Sequence, residues 1–218
     1  HQSVITPGIG IALPDLAYYE PAFAREVEWI LLATLANLAA RRGDSLYLRL
    51  STRPLDQALA PTSSPAYRDA VLAGGYRLVD ARAEPGWDPE TNAVHLFASG
   101  VMVADAVAAS RRLREVGILA NVFVVTSPDR LYRGLRQPRP RLEQMVSAEE
   151  EGVPLVSVLD GHSHTLAFLG SALGVPQLAL GVDHFGQSGS RAALYRHYGI
   201  DAEAIARAAR TLLGEPAS

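Results

Sequence analysis

The 218-residue sequence contains no cysteine and no lysine. The first absence excludes disulfides, thiolate nucleophiles and Cys-ligated metal sites, and fits a reducing cytoplasm. The second excludes Schiff-base chemistry and a phosphate-loop lysine, since every basic residue is Arg or His. There is no basic surplus either: the net charge is −3 and the pI about 6.1, which argues against nucleic acid or an anionic membrane as partner. The longest apolar stretch, Trp29 to Ala40, contains Thr34 and Asn37 and is too short to span a bilayer. The sequence starts at His1, shows no signal-peptide pattern, and is expected to be a processed piece or part of a longer chain.

What is present is core material: 48% of residues are hydrophobic. Its spacing predicts an α/β architecture. Ile9–Ala12 reads as a short buried strand, Glu20-Pro21 as the opening of a helix, and Leu46–Leu50 as a second strand. Phe23, Val27, Ile30, Leu31, Thr34, Leu35 and Leu38 recur at helical spacing as one apolar face, with Arg41, Arg42 and Gly43 closing the helix. Strand, helix, strand is the unit of a parallel sheet. Pro54, Pro61 and Pro65 around Thr62-Ser63-Ser64 read as a surface linker, with Ser64-Pro65 capping a short helix through Leu72.

A second alternating series follows. Strands are expected at Tyr76–Val79, Val94–Ala98, Asn121–Val125, Leu155–Val158 and Gln177–Leu180. Helices are expected at Met102–Val116, Thr165–Leu173, Arg191–His197 and Ala202–Leu213, and an exposed loop at Arg133–Arg141. The reading is a three-layer αβα fold on a mostly parallel sheet, preceded by the end of another α/β domain. The expected boundaries are residues 1–53, a linker at 54–75, and residues 76–218.

Four stretches invite a functional reading. Ser99-Gly100 joins a strand to a helix, where a glycine lets an anion approach the helix amino end, although one glycine is not a dinucleotide fingerprint and a tight turn is the simpler reading. Asp160-Gly161-His162-Ser163-His164 ends a strand; its Asp and two His suggest metal ligands but lack a third neighbour, and Asp160 as a helix cap explains it better. Ser163 lacks the second glycine of a nucleophile elbow. Arg133, Arg136 and Arg139 are candidate phosphate contacts but read more simply as a solvated loop. Gly181–Arg191 is the most informative: an Asp after a strand, an aromatic, then a Ser/Gly run with tight turns at Gly186 and Gly189 and a helix cap at Ser190.

Val182-Asp183-His184-Phe185-Gly186-Gln187-Ser188-Gly189-Ser190-Arg191, followed by Leu194 and His197-Tyr198-Gly199-Ile200-Asp201, resembles the closing motif of the transketolase carboxy-terminal domain. The Ser188-x-x-Arg191-x-x-Leu194 and His197-aromatic-x-Ile200-Asp201 spacing is similar to homodimeric bacterial pyruvate dehydrogenases of the thiamin-diphosphate-dependent 2-oxo acid dehydrogenase family. Phe97–Met102, Val124–Ser127, Tyr19–Val27 and His1-Gln2 match further family segments in the same order. The resemblance implies that residues 1 to about 53 are the tail of a pyrimidine-binding domain and about 75 to 218 a transketolase-type carboxy-terminal domain. It implies thiamin diphosphate and Mg2+ in the full assembly, held by sequence absent here, since the metal-and-diphosphate motif and the cofactor-activating glutamate are missing; no cofactor or metal ligand is assigned to this chain. It implies remaining domains or a second chain, a homodimer partner, and a lipoyl acyltransferase as a further possible partner. By position it assigns one catalytic residue, His1, to charge stabilisation or proton movement at the reacting centre. The family's second histidine pair does not follow His1, which leaves another 2-oxo acid, a transketolase-like ketol transfer, or a non-catalytic assembly role open.

Overall fold

The computed structural model describes residues 4–41 and 43–215, so His1 lies outside the described residues. The chain opens with helix α1 (Thr6–Ala12) where a strand was expected. A short apolar run has no decisive period. Pro7 in the first turn favours helix, and the helix brings Gly10 against Tyr18, where a Cβ would lie 2.4 Å from the ring. The first strand is instead β1 (Leu16–Tyr19), after the Pro14-Asp15 turn.

Helix α2 (Ala24–Ala39) starts three residues later than Pro21 suggests. Glu26, at the third position, fixes that start by accepting from the backbone N–H of Ala22 at 2.7 Å and Phe23 at 3.0 Å. Strand β2 (Ser45–Leu48) then pairs parallel with β1. Only the amino-terminal half of the expected apolar face of α2 is covered. Phe23 and Ile30 are buried, whereas Leu31, Leu35 and Leu38 are 42%, 60% and 57% exposed, as is Leu32, outside the expected face, at 57%.

Helix α3 (Pro65–Ala73) is capped by Ser64, as its Ser-Pro start predicts, and buries Tyr67 and Val71. Strand β3 (Gly75–Val79) leads to β4 (Ala93–Ser99), α4 (Val103–Glu115) and β5 (Leu119–Val125). Two short helices, α5 (Pro128–Gly134) and α6 (Arg141–Met145), frame what was expected to be a plain exposed loop. Arg141 is half-buried because its guanidinium donates to the carbonyl of Gly75 at 2.9 Å. Strand β6 (Leu155–Val158), α7 (Phe168–Leu173), β7 (Gln177–Leu180), α8 (Arg191–Tyr198) and α9 (Ala202–Leu212) complete the series.

The larger sheet has the order β3-β5-β4-β6-β7; β3 is antiparallel to β5 and the other pairings are parallel. Every residue of β4 and β5 is buried, as expected of central strands covered on both faces. Val94, Leu96 and Ala98 face the core under α4 and α9. Phe97 and Phe123 face the opposite core with Leu131, Leu142 and Leu169 from α5, α6 and α7. The result is the three-layer αβα arrangement.

The two sheets meet at their carboxyl ends. Glu20, just past β1, donates its N–H to the carbonyl of Thr126, just past β5, at 2.8 Å. The hydroxyl of Ser127 donates to the carbonyl of Tyr18 at 2.6 Å.

Candidate functional site

In parallel α/β sheets, ligands gather outside the carboxyl ends of the strands. A cleft of about 530 Å³ lies there, walled by Arg49, Ser51 and Arg53 after β2, Asp160 and Gly161 after β6, and Gly186, Gly189, Arg191 and Tyr195 beyond β7.

Arg49 organises its floor. Its guanidinium donates to Oε1 of Glu20 at 2.5 Å and also to the carbonyl of Asp160, tying the small sheet to the large one. Burial pushes the Glu20 carboxyl up, with Arg49 opposing; Arg49 is held charged by Glu20 against the cost of its own burial. Tyr18 donates its hydroxyl to the other oxygen of Glu20, and burial followed by that carboxylate pushes its phenol far up. Glu20 also explains the Ser99-Gly100 turn. Gly100 has φ +54°, and a Cβ there would lie 2.8 Å from Glu20 Oε1. The anion admitted at this turn is the chain's own carboxylate, and Ser99 donates its hydroxyl to the Val125 carbonyl at 2.8 Å.

Arg53 pairs with Asp105 near the start of α4, and its guanidinium lies 5.3 Å over the ring of Tyr195. Asp105 keeps Arg53 charged against the effect of burial. Arg191, at the start of α8, makes no ion pair among the described residues and is the cation of the cleft that remains open to an incoming anion.

The Asp160–His164 string forms a different arrangement from the expected cap. Asp160 does not cap a helix; its Oδ2 accepts from the Tyr195 hydroxyl at 3.4 Å. Asp183, after β7, holds the string by accepting from the N–H and the hydroxyl of Ser163, each at 2.8 Å, with His162 Nδ1 at 3.2 Å from the same carboxylate. Ser163 is therefore engaged by a carboxylate rather than by a histidine base. Among the described residues no group of three His, Asp or Glu side chains could hold a metal.

Ser190 caps α8, accepting from the Ala193 N–H at 3.3 Å. Gly186 and Gly189, where tight turns were expected, keep φ outside the left-handed region. The loop instead depends on Tyr198, whose hydroxyl donates to the carbonyl of Phe185 at 2.9 Å and leaves the Phe185 ring 83% exposed. Arg133 and Arg139 line a separate cleft of about 760 Å³ with Asp44, Asp69 and Asp129; Arg136 does not. The arginines missed by the sequence reading are Arg49 and Arg53. Their place just past the carboxyl end of a parallel strand was the available signal.

Residues 74–201 match the transketolase-like TK C-terminal domain. The chain is 31% identical over 204 residues to a chromosomal transketolase of Cupriavidus necator, covering 93% of this chain and 27% of the relative. It is 28% identical over 202 residues to the pyruvate dehydrogenase E1 component of Mycobacterium tuberculosis, covering 87% of this chain and 21% of the relative. Its fold superposes on a Pichia stipitis transketolase in complex with fructose-6-phosphate with a TM-score of 0.74 at 19% identity, over 98% of this chain and 27% of that one. A split-gene transketolase described as an inactive beta4 tetramer matches with a TM-score of 0.67 at 18% identity, over 98% of this chain and 62% of that one. The chain thus spans about a quarter of the length of the curated relatives it matches.

Proposed function

Because this chain belongs to the transketolase-like C-terminal domain family, we propose that it is the carboxy-terminal portion of a thiamin-diphosphate-dependent 2-oxo acid dehydrogenase component of the decarboxylating, pyruvate-like type. Its contribution is to complete dimer contacts and shape the entrance to a reaction centre shared with other polypeptide, the arrangement of residues 1–53 as the tail of a pyrimidine-binding domain and 76–218 as the carboxy-terminal domain. The observation that carries this reading is the α2 helix. Leu31, Leu32, Leu35 and Leu38 form a solvent-facing apolar stripe over a sheet of only two parallel strands, and such a sheet is stable only with both faces covered. The rest of that domain is the natural cover, and a partner protomer is a natural seat for the protruding Phe185.

Among the described residues no group of three or more His, Asp or Glu side chains could hold a metal ion. Thiamin diphosphate and Mg2+ are placed in the full assembly, bound mainly by sequence not present in this chain. A lipoyl acyltransferase as acceptor and a cytoplasmic location are part of the same proposal; no helix among the described residues is long and apolar enough to cross a membrane.

A second reading, a transketolase-type ketol transferase, is favoured by Arg191 in the cleft, since a guanidinium group suits phosphorylated substrates. Assays of the full assembly separate the two. Release of carbon dioxide from a panel of 2-oxo acids, with no turnover of ketose phosphates, supports the first. The reverse pattern establishes the second and overturns the first. Absence of both activities in a complete, cofactor-loaded assembly favours a non-catalytic assembly role.

A further inference from the structure

The arginine-rich segment around α5 and α6 has no part in the reading above. Arg130, Arg133, Arg139 and Arg141 all line the cleft of about 760 Å³ between that segment and α3. It shares no lining residue with the cleft around Arg191. Arg130 and Arg139 are exposed, and Arg133 and Arg141 are half-buried, so none of the four is shut off from solvent.

The cleft holds charge without counter-charge. Arg49, Arg53, Arg77, Arg82 and Arg210 are also half-buried, and each meets a carboxylate. Among the described residues, Arg133 and Arg141 are the half-buried arginines that do not, and both line this cleft. Backbone carbonyls hold them instead. Arg133 donates to the carbonyl of Leu13, and Arg141 donates through Nε and Nη2 to the carbonyl of Gly75 at 3.1 and 2.9 Å. A carbonyl fixes a guanidinium without neutralising it, and each fork keeps further donors. Burial pulls Arg141 down with no carboxylate to oppose it. A cation drawn out of water without a partner is stabilised by an anion that reaches it.

Three carboxylates also line the cleft, one fewer than the arginines. Asp129 is 1% exposed and accepts from the Ser127 hydroxyl at 2.5 Å, and Asp69 pairs with Arg68 at 3.2 Å. Asp44 alone of the three is both exposed and without a hydrogen bond or ion pair among the described residues. From α3 come Ala66, Ala70 and Ala73, spaced along one helical face with nothing larger than a methyl group.

We propose that this cleft binds a small molecule carrying two phosphate groups. Guanidinium forks match phosphate oxygens two at a time. Two groups are called for because the arginines arrive as two sets. Arg130 and Arg133 lie one turn apart on α5, and Arg139 and Arg141 lie on either side of Pro140 where α6 begins. The volume falls within the roughly 300–1,000 Å³ of small-molecule sites, and the alanine face leaves space for an organic body. A discrete molecule suits the cleft better than a nucleic-acid backbone does, because the chain as a whole carries −3.

Calorimetric titration of the 218-residue chain with inorganic pyrophosphate, in magnesium-free buffer of low ionic strength, tests this. Saturable binding with a Kd below about 1 mM is expected. Inorganic phosphate should bind weaker by about tenfold or more, and Arg139→Gln should weaken pyrophosphate by a similar factor. Ala66→Trp, at an exposed position of α3, should abolish binding by filling the cleft with all four arginines still in place. Arg136→Gln and Arg191→Gln should leave binding unchanged, since Arg136 shares the segment without lining the cleft and Arg191 lines the other one. Failure to saturate by about 10 mM overturns the proposal. So does equal affinity for phosphate and pyrophosphate, binding that Ala66→Trp retains, or a loss in Arg191→Gln. A loss in Arg136→Gln as large as that in Arg139→Gln also overturns it, by showing diffuse attraction of charge. Binding is read without turnover, so this proposal and the functional reading fail separately.

Discussion

Gly100 and Glu20 occupy each other's space: a methyl group on the glycine would sit 2.8 Å from the carboxylate oxygen that receives Arg49. The turn after β4 is thus shaped to admit a side chain delivered by the end of β1, and the two sheets are locked where their strands end.

That contact predicts coupled losses. Glu20→Ala strands the Arg49 guanidinium at a largely buried junction and should cost about 3 kcal/mol. Gly100→Ala should cost about 1–3 kcal/mol through its positive φ and the clash. The double variant should lose less than the sum, since removing the carboxylate relieves the clash. Urea denaturation of the four proteins measures this; strict additivity would show that the two residues do not share space in solution.

His95 predicts a pH signature of stability. Its folded value of about 4 lies below the ordinary 6.5, so between those values the unfolded chain takes up a proton that the folded chain refuses. Stability is complete above about pH 6.5, declines as the pH falls, and levels off below about 4. The shift corresponds to about 3 kcal/mol at most. Glu150, Arg77 and Arg82 face the same ring, and in the variant the Glu150 carboxyl loses the coulombic contribution of His95. The difference between the wild type and His95→Phe, followed from pH 7 to 4 by denaturant unfolding, should change steadily over that window; parallel curves would refute the assignment.

The apolar stripe of α2 predicts a separation of stability from assembly. Leu35 is 60% exposed, so Leu35→Glu should change the unfolding free energy of the chain by less than about 0.5 kcal/mol. In the full enzyme the same change would bury an unpaired charge and should prevent association with the remaining polypeptide. Light scattering of the reconstituted assembly reads the effect; unimpaired association would remove the main support for the proposed architecture.

His1 carries the catalytic proposal taken from the family resemblance. His1→Ala in the complete, cofactor-loaded enzyme should reduce kcat by roughly 10²-fold or more, the usual scale for a lost acid–base group. An unchanged kcat with an unchanged pH profile would remove His1 from the reaction centre.

Much of the architecture was present in the order of residues. Apolar runs at Val94–Ala98, Asn121–Val125, Leu155–Val158 and Gln177–Leu180 each became a strand of one sheet, and Ser64 and Ser190 cap helices as short hydroxyl side chains do. These are local properties: side-chain periodicity and backbone hydrogen-bond competition act within a few residues. The wording of the Asp183–Arg191 loop likewise sufficed to suggest the family. Packing decided the rest. Thr6–Ala12 is helical with Pro7 in its first turn, and its packing brings Gly10 against the Tyr18 ring. The antiparallel direction of β3, the half-covered face of α2, and the meeting of Glu20, Arg49, Gly100 and the Asp160 carbonyl all depend on which distant segments share a surface. No local periodicity encodes that choice, because it is set by the joint burial of two sheets and by the need to pair each charge that the burial removes from water.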